Sequence, residues 1–164
     1  MMSNTETSEP QGMLTLRTLA MPGDANAAGD IFGGWVMAQM DLACGIRAAE
    51  HAGGRVVTAA VNEMVFERPM HVGDTLCVYI EIEKTGRTSM TLLVEAWAQR
   101  YLKPHREKLI VGRFVMVALD EDGKPTPIPP LSVSCPPDSQ FPGEMGHPEW
   151  QCLTEWLSSG YRDV

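Results

Sequence analysis

From Asp74 to Lys84 the side chains alternate. Leu76, Val78, Ile80 and Ile82 fall on one phase and Cys77, Tyr79, Glu81 and Glu83 on the other, the period of two expected of a strand with unlike faces. Ser89 to Arg100 repeats the pattern, with Met90, Leu92, Val94 and Ala96 set against Thr91, Leu93, Glu95 and Trp97, and Lys108 to Leu119 follows suit. Arg55 to Phe66 and a shorter segment, Leu14 to Met21, are also predicted strands, the latter stopped by Pro22-Gly23-Asp24. The links Lys84-Thr85-Gly86-Arg87 and Leu102-Lys103-Pro104-His105 suit antiparallel hairpins.

One stretch breaks the alternation. Gly33 to His51 is rich in Ala, Met and Leu, contains no proline, and runs into Ala52-Gly53-Gly54, where glycine can adopt the left-handed conformation that ends a helix. It predicts a single long helix of roughly 28 Å at 1.5 Å per residue. Strand, helix and then four strands make the economical architecture α+β, an antiparallel sheet curled around one helix. On the expected phasing, Leu93, Trp97, Ile110, Phe114 and Met116 oppose Leu92, Val94, Val115 and Val117. Large apolar groups on both sheet faces, more than one helix can cover, predict an obligate oligomer.

With 164 residues and 44% hydrophobic side chains, the chain fits one domain. We divide it into a polar leader (1–10), a folded body (11–130) and a Pro-rich tail (131–164) in which Trp150, Leu153, Trp156 and Leu157 keep helical spacing. No apolar run is long enough for a membrane helix and MMSNTETSEP lacks a signal-peptide pattern, so a cytoplasmic protein without membrane partners is expected. The net charge of −8 disfavours nucleic acid as a partner. Within the body, however, Lys84, Arg87, Arg100, Lys103, Arg106 and Lys108 against Glu95 and Glu107 form a local excess of +4, either solvated hairpin ends or a place for an anion.

Four cysteines without a CxxC and four histidines without an HxxxH or HExxH pair give no zinc pattern, and reduced thiols are expected. GxSxG, GxxxxGK[ST] and GxGxxG are all missing, which removes the usual serine-hydrolase, nucleotide-hydrolase and dinucleotide-binding signatures. Candidate chemistry therefore centres on Asp41, the only ionisable residue between Ile31 and Gly45. Aspartate is a poor helix-interior residue, and this one lies too far in to cap the helix. It is either a hydrogen-bonded structural acid or a general base or nucleophile in a partly dry cleft. Gly33 and Gly34 either permit close packing or expose the unpaired N–H groups of the helix start to an oxyanion. Two turns of helix then allow a substrate carbonyl near the glycines and a water near the carboxylate.

The segment LRTLAMPGDANAAGDIFGGWVMAQMD, followed by GRVVTAAVNEMVFERPMHVGD and GRTS, resembles the hot-dog acyl-CoA thioesterases of the YciA-like group over roughly Leu14 to Pro129. The resemblance implies a curved antiparallel sheet wrapped around one central helix, with units paired into dimers and often assembled as hexamers. It implies hydrolysis of acyl-CoA without metal or organic cofactor. Asp41 would be the catalytic carboxylate, with the oxyanion held at Gly33 and Gly34. Asp30 occupies the place where related enzymes put a polar residue used by the neighbouring subunit, Thr58 faces the thioester, and Arg87, Thr88 and Ser89 meet the coenzyme A phosphates. The competing function is a non-catalytic acyl-CoA or lipid-binding module. A hot-dog dehydratase is disfavoured because no histidine precedes Glu50.

Overall fold

The computed structural model describes residues 9–101, 103 and 105–129. Most of the leader, two residues of the second hairpin link, and the tail with its helical spacing lie outside the described residues. The elements are β1 (Met13–Leu19), a single 3-10 turn (Pro22–Asp24), α1 (Gly33–Ala52), β2 (Val56–Phe66), β3 (Thr75–Thr85), β4 (Ser89–Gln99) and β5 (Arg106–Ala118). They match the expected order, and the strand ends differ by only one or two residues. All pairings are antiparallel, and the strand order is β1-β3-β4-β5-β2. The strand that follows the helix thus crosses to the far edge of the sheet.

The helix lies on one face of this sheet. Val36, Met40, Ala43, Cys44, Ala48 and Ala52 form its buried stripe, at the three- and four-residue spacing of one helical face. They pack with Leu76, Val78 and Ile80 of β3, Leu92, Val94 and Ala96 of β4, and Phe114 and Met116 of β5. Met40 is fully buried at the centre, and its truncation to alanine costs about 2–5 kcal/mol. Gly53 ends the helix at φ +65°, and its N–H closes on the Ala49 carbonyl.

The expected face assignment of β5 is corrected by the register. Phe114 lies opposite Leu92, Met116 opposite Met90 and Ile110 opposite Ala96, so all three face the helix. The outward phase of β5 is Val111, Val115 and Val117, which pair with Glu95, Thr91 and Ser89. Opposed residues share a face, which alternation along a single strand cannot reveal. Both faces remain apolar, but by different residues: Cys77, Tyr79 and Trp97 are buried on the outer side. There the buried Glu95 accepts hydrogen bonds from Lys108 Nζ at 2.6 Å, Trp97 Nε1 at 3.0 Å and the Gln11 N–H at 3.0 Å.

The +4 cluster also separates. Lys84 and Arg87 sit at one end of β4 and Arg100 and Arg106 at the other, about 33 Å apart at strand rise. Arg100 is bound to Asp74, to Glu107 at 2.9 Å and to the Pro69 carbonyl at 3.0 Å. Arg106 meets Tyr79 and Lys108 meets Glu95. At the far end Arg100 and Lys108 are spent on carboxylate partners, whereas Lys103 stays exposed there, as Lys84 and Arg87 do at the other end.

Candidate active site

The helix start is built by the loop before it. Asn26 Oδ1 accepts the N–H groups of Ala28 at 2.8 Å and Asp30 at 3.2 Å, and the Asn26 N–H donates to the Asp30 carbonyl at 2.7 Å. Ile31 donates to the Met70 carbonyl at 2.9 Å and Phe32 to that of Asp24 at 3.1 Å. Phe32 occupies the cap position with no capping side chain. Trp35 and Val36 both turn their N–H groups back to the Phe32 carbonyl. Gly33 and Gly34 keep N–H groups with no backbone acceptor among the described residues. Such groups carry the positive end of the helix dipole and attract developing negative charge.

The two glycines differ. A Cβ on Gly33 would stand 3.0 Å from the Phe66 ring, whereas one on Gly34 would meet nothing within 4 Å. Gly33 therefore permits close packing and Gly34 leaves the backbone open to approach. The packing reading thus fits Gly33, and Gly34 has the open approach that the other reading requires.

Asp41 is exposed, as are Gly34, Met37, Ala38 and Leu42 of the same helix. Thr58 of β2 donates its hydroxyl to Asp41 Oδ1 at 2.5 Å, so two residues 17 apart in the chain meet at the helix–sheet boundary. The hydroxyl also lies 3.3 Å from Met116 Sδ. One carboxylate oxygen is thus held and oriented, which leaves the other for chemistry. Cys44, one turn further along and buried, has its thiol pKa pushed well up by burial and by the negative charge of Asp41.

The remaining candidates lie apart from this pair. Asp41 lies seven residues beyond Gly34, roughly 10 Å along the axis, whereas reacting groups must come within about 3–3.5 Å. Within one chain the carboxylate and the helix-start N–H groups therefore stand about two turns apart, the spacing expected for a carbonyl near the glycines and a water near Asp41. Asp30 is engaged by His71, with Nδ1 3.0 Å from Oδ1, and their backbones form a bridge. The loop that carries His71 is itself fixed by Arg100 through Asp74 and Pro69. Arg87, Thr88 and Ser89 stand at the opposite end of α1. The Arg87 carbonyl accepts from Ile128 at 2.8 Å and that of Thr88 from Ala118 at 2.9 Å, while His51 at the helix end contacts Thr85 at 3.1 Å. The hairpin backbone is pinned and the Arg87 side chain is exposed.

Asn26 is a residue the sequence reading passed over. Only an oxygen can accept two N–H bonds, so its carbonyl is assigned by its partners, and the amide NH2 is left pointing away from the loop. The N-x-x-G-D spacing, whose Gly29 has φ +91°, was the available signal.

The five-stranded antiparallel sheet carrying a single long helix is the architecture of a hot-dog unit. The thioesterase superfamily profile matches residues 28–103. The acyl-CoA thioester hydrolase YciA of Salmonella typhimurium is 50% identical over 123 residues, 73% of this chain and 92% of that one. A hexameric broad specificity acyl-coenzyme A thioesterase superposes with a TM-score of 0.71 at 44% identity, covering 76% of this chain and 86% of the other, and its aspartate-to-alanine variant has also been solved. An acyl-CoA hydrolase from Staphylococcus aureus, in complex with butyryl coenzyme A and coenzyme A, is 31% identical with a TM-score of 0.66 over 70% of each chain. Its solved variants replace an asparagine and a threonine 32 residues apart, the separation of Asn26 and Thr58. This chain belongs to the thioesterase superfamily, within its YciA-like group of acyl-CoA thioester hydrolases. Among the described residues no helix is long and apolar enough to cross a membrane.

Proposed function

We propose that the protein hydrolyses acyl-CoA thioesters in a site shared by two subunits, with Asp41 of one subunit acting at a carbonyl held by the helix start of the other. The observation that carries this reading is the exposed helix face. Gly34, Met37, Ala38 and Asp41 form a single stripe spaced like a helix–helix seam. If two copies of α1 cross antiparallel between Met37 and Ala38, Gly34 falls opposite the partner subunit's Asp41. That closes the roughly 10 Å gap that one chain leaves. The edge strand β2, which is paired only with β5 and exposes Val61, Val65 and Phe66, supplies the edge along which two sheets join. Such dimers would assemble further into hexamers, in the cytoplasm.

In this arrangement the Gly34 N–H and the Asn26 amide receive the carbonyl oxygen, and the free oxygen of Asp41 either deprotonates a water that attacks the carbonyl carbon or attacks it directly, forming a mixed anhydride that water then hydrolyses to restore the carboxylate. The C–S bond breaks, coenzyme A leaves as its thiolate and takes up a proton, and the acyl group is released as the acid with an oxygen from water. A thiolate leaves readily, so no dedicated acid and no cofactor is needed. Arg87, with Thr88 and Ser89, would meet the phosphates. A pure binding module gains nothing from a carboxylate held by Thr58 on an otherwise apolar helix face.

Thiol release from short to long acyl-CoAs tests the reading directly. Asp41→Asn should abolish turnover and leave coenzyme A binding in place. More than about a tenth of the activity remaining, less than about 1.4 kcal/mol of effect, would exclude Asp41 as the catalytic group. Light scattering should show at least a dimer, and an active 18.0 kDa monomer would overturn the shared site.

A further inference from the structure

Beside the helix start lies a cavity of about 330 Å³, lined by the apolar Ile31, Val36, Phe66, Met70 and Ile110 and by Gly33, with Glu67, Arg68 and Pro69 also on its border. We infer that this cavity takes the acyl chain, and that the Phe66 ring is the wall that admits straight chains and excludes those branched next to the carbonyl. The inference rests on the hydrolase reading above and names which acyl groups that site accepts.

Three observations support it. Gly33 lines the cavity and neighbours the N–H groups assigned to the oxyanion, so a carbonyl held there has its first carbons at the cavity's edge. The interior is unsuited to the other half of the substrate. Pantetheine carries two amides that need partners when buried, whereas Ile31, Val36, Met70, Leu109 and Ile110 offer hydrocarbon and are all buried. Several backbone groups bordering the cavity are already spent: the Ile31 N–H on the Met70 carbonyl at 2.9 Å, and the Leu109 carbonyl on the N–H groups of Glu67 at 2.7 Å and Arg68 at 3.3 Å. An alkyl chain brings in no polar group that would need a partner there.

The third observation concerns Phe66. Its Cε1 lies 3.0 Å, Cζ 3.6 Å and Cδ1 3.7 Å from the position a Cβ on Gly33 would take. The ring therefore stands over the first residue of the helix, beside the N–H groups assigned to the carbonyl, where the inferred path of the chain places its first carbons. A methylene passes such a ring. A methyl branch at the same level collides with it.

The test compares butyryl-CoA with isobutyryl-CoA in the intact protein, in Phe66→Ala and in Phe66→Leu, reading kcat/KM for each. The wild-type protein should prefer the straight chain. Removal of the ring should lower the straight-to-branched ratio by about tenfold, the scale on which a pocket distinguishes one carbon, and leucine should fall between. Leucine also keeps an apolar side chain on the edge strand, so the comparison survives if alanine disturbs assembly. A ratio unchanged in both variants while the wild type turns over butyryl-CoA overturns the inference alone. Failure of the wild type to hydrolyse any acyl-CoA overturns the hydrolase reading beneath it.

Discussion

Replacing Thr58 with valine isolates the contact that orients the carboxylate. Valine keeps the β-branched shape that suits β2 and removes only the hydroxyl, which stands 2.5 Å from Asp41 Oδ1. A hydrogen bond to a charged acceptor contributes about 1.5–3 kcal/mol, and 1.36 kcal/mol is a factor of ten. If the carboxylate must be held in one rotamer to act, kcat/KM should fall by about tenfold to hundredfold. Stability should fall by no more than about the 3 kcal/mol that bounds such a bond, which leaves the variant folded for assay. Continuous thiol-release kinetics measure the first quantity and urea unfolding the second. Thr58→Ser restores the hydroxyl without the methyl and should recover most of the rate. A Thr58→Val enzyme within threefold of wild type would refute the idea that this bond positions Asp41, and a serine variant as slow as the valine one would show that shape matters instead.

Arg87→Ala should weaken acyl-CoA far more than a truncated acyl-pantetheine thioester, and raising salt should erode the difference; competition binding and steady-state kinetics on both substrates decide it. Lys108→Met leaves the buried Glu95 carboxylate without its cation and should cost about 3 kcal/mol in urea unfolding. Adding Glu95→Gln should recover most of that, since the amide oxygen still serves Trp97 and Gln11. His51 is held below its ordinary pKa, first by burial and then by the Arg47 charge. As pH falls through about 6.5 the unfolded chain takes the proton first, so stability should decline below that pH, and His51→Gln should flatten the slope between about pH 7 and 5.5.

Strands and helix were legible because their signals are local. Period-two alternation marks β3, β4 and β5, and the proline-free run before Gly53 marks α1. Which face each strand presents was not legible for β5, because Phe114 takes its side from Leu92 across the ladder, and a register shift between Ala96 and Trp97 intervenes. The isolation of Asp41 in an apolar helix pointed to chemistry, and the family resemblance added Thr58. Their hydrogen bond depends on β2 lying at the sheet edge beside β5, a long-range pairing with no local trace. His71 escaped notice for the same reason, since it meets Asp30 only through a bridge between two loops. The separation of Asp41 from Gly34 was computable from helix rise alone; the exposed face of α1, seen only in the structure, is what supports the proposal that two subunits share the site.

Cys44 bears on what the acyl group can do. Thioesters pass readily to thiolates, and coenzyme A leaves as one in the proposed reaction, so a reactive protein sulfur near that site would invite self-acylation and mixed disulfides. The Cys44 thiol is buried and lies within the field of Asp41, and both effects hold it protonated. The charge assigned above to the catalytic carboxylate thus also keeps the neighbouring sulfur in its unreactive form. The acyl group is left with water as its destination, and the protein's own thiol does not compete for it.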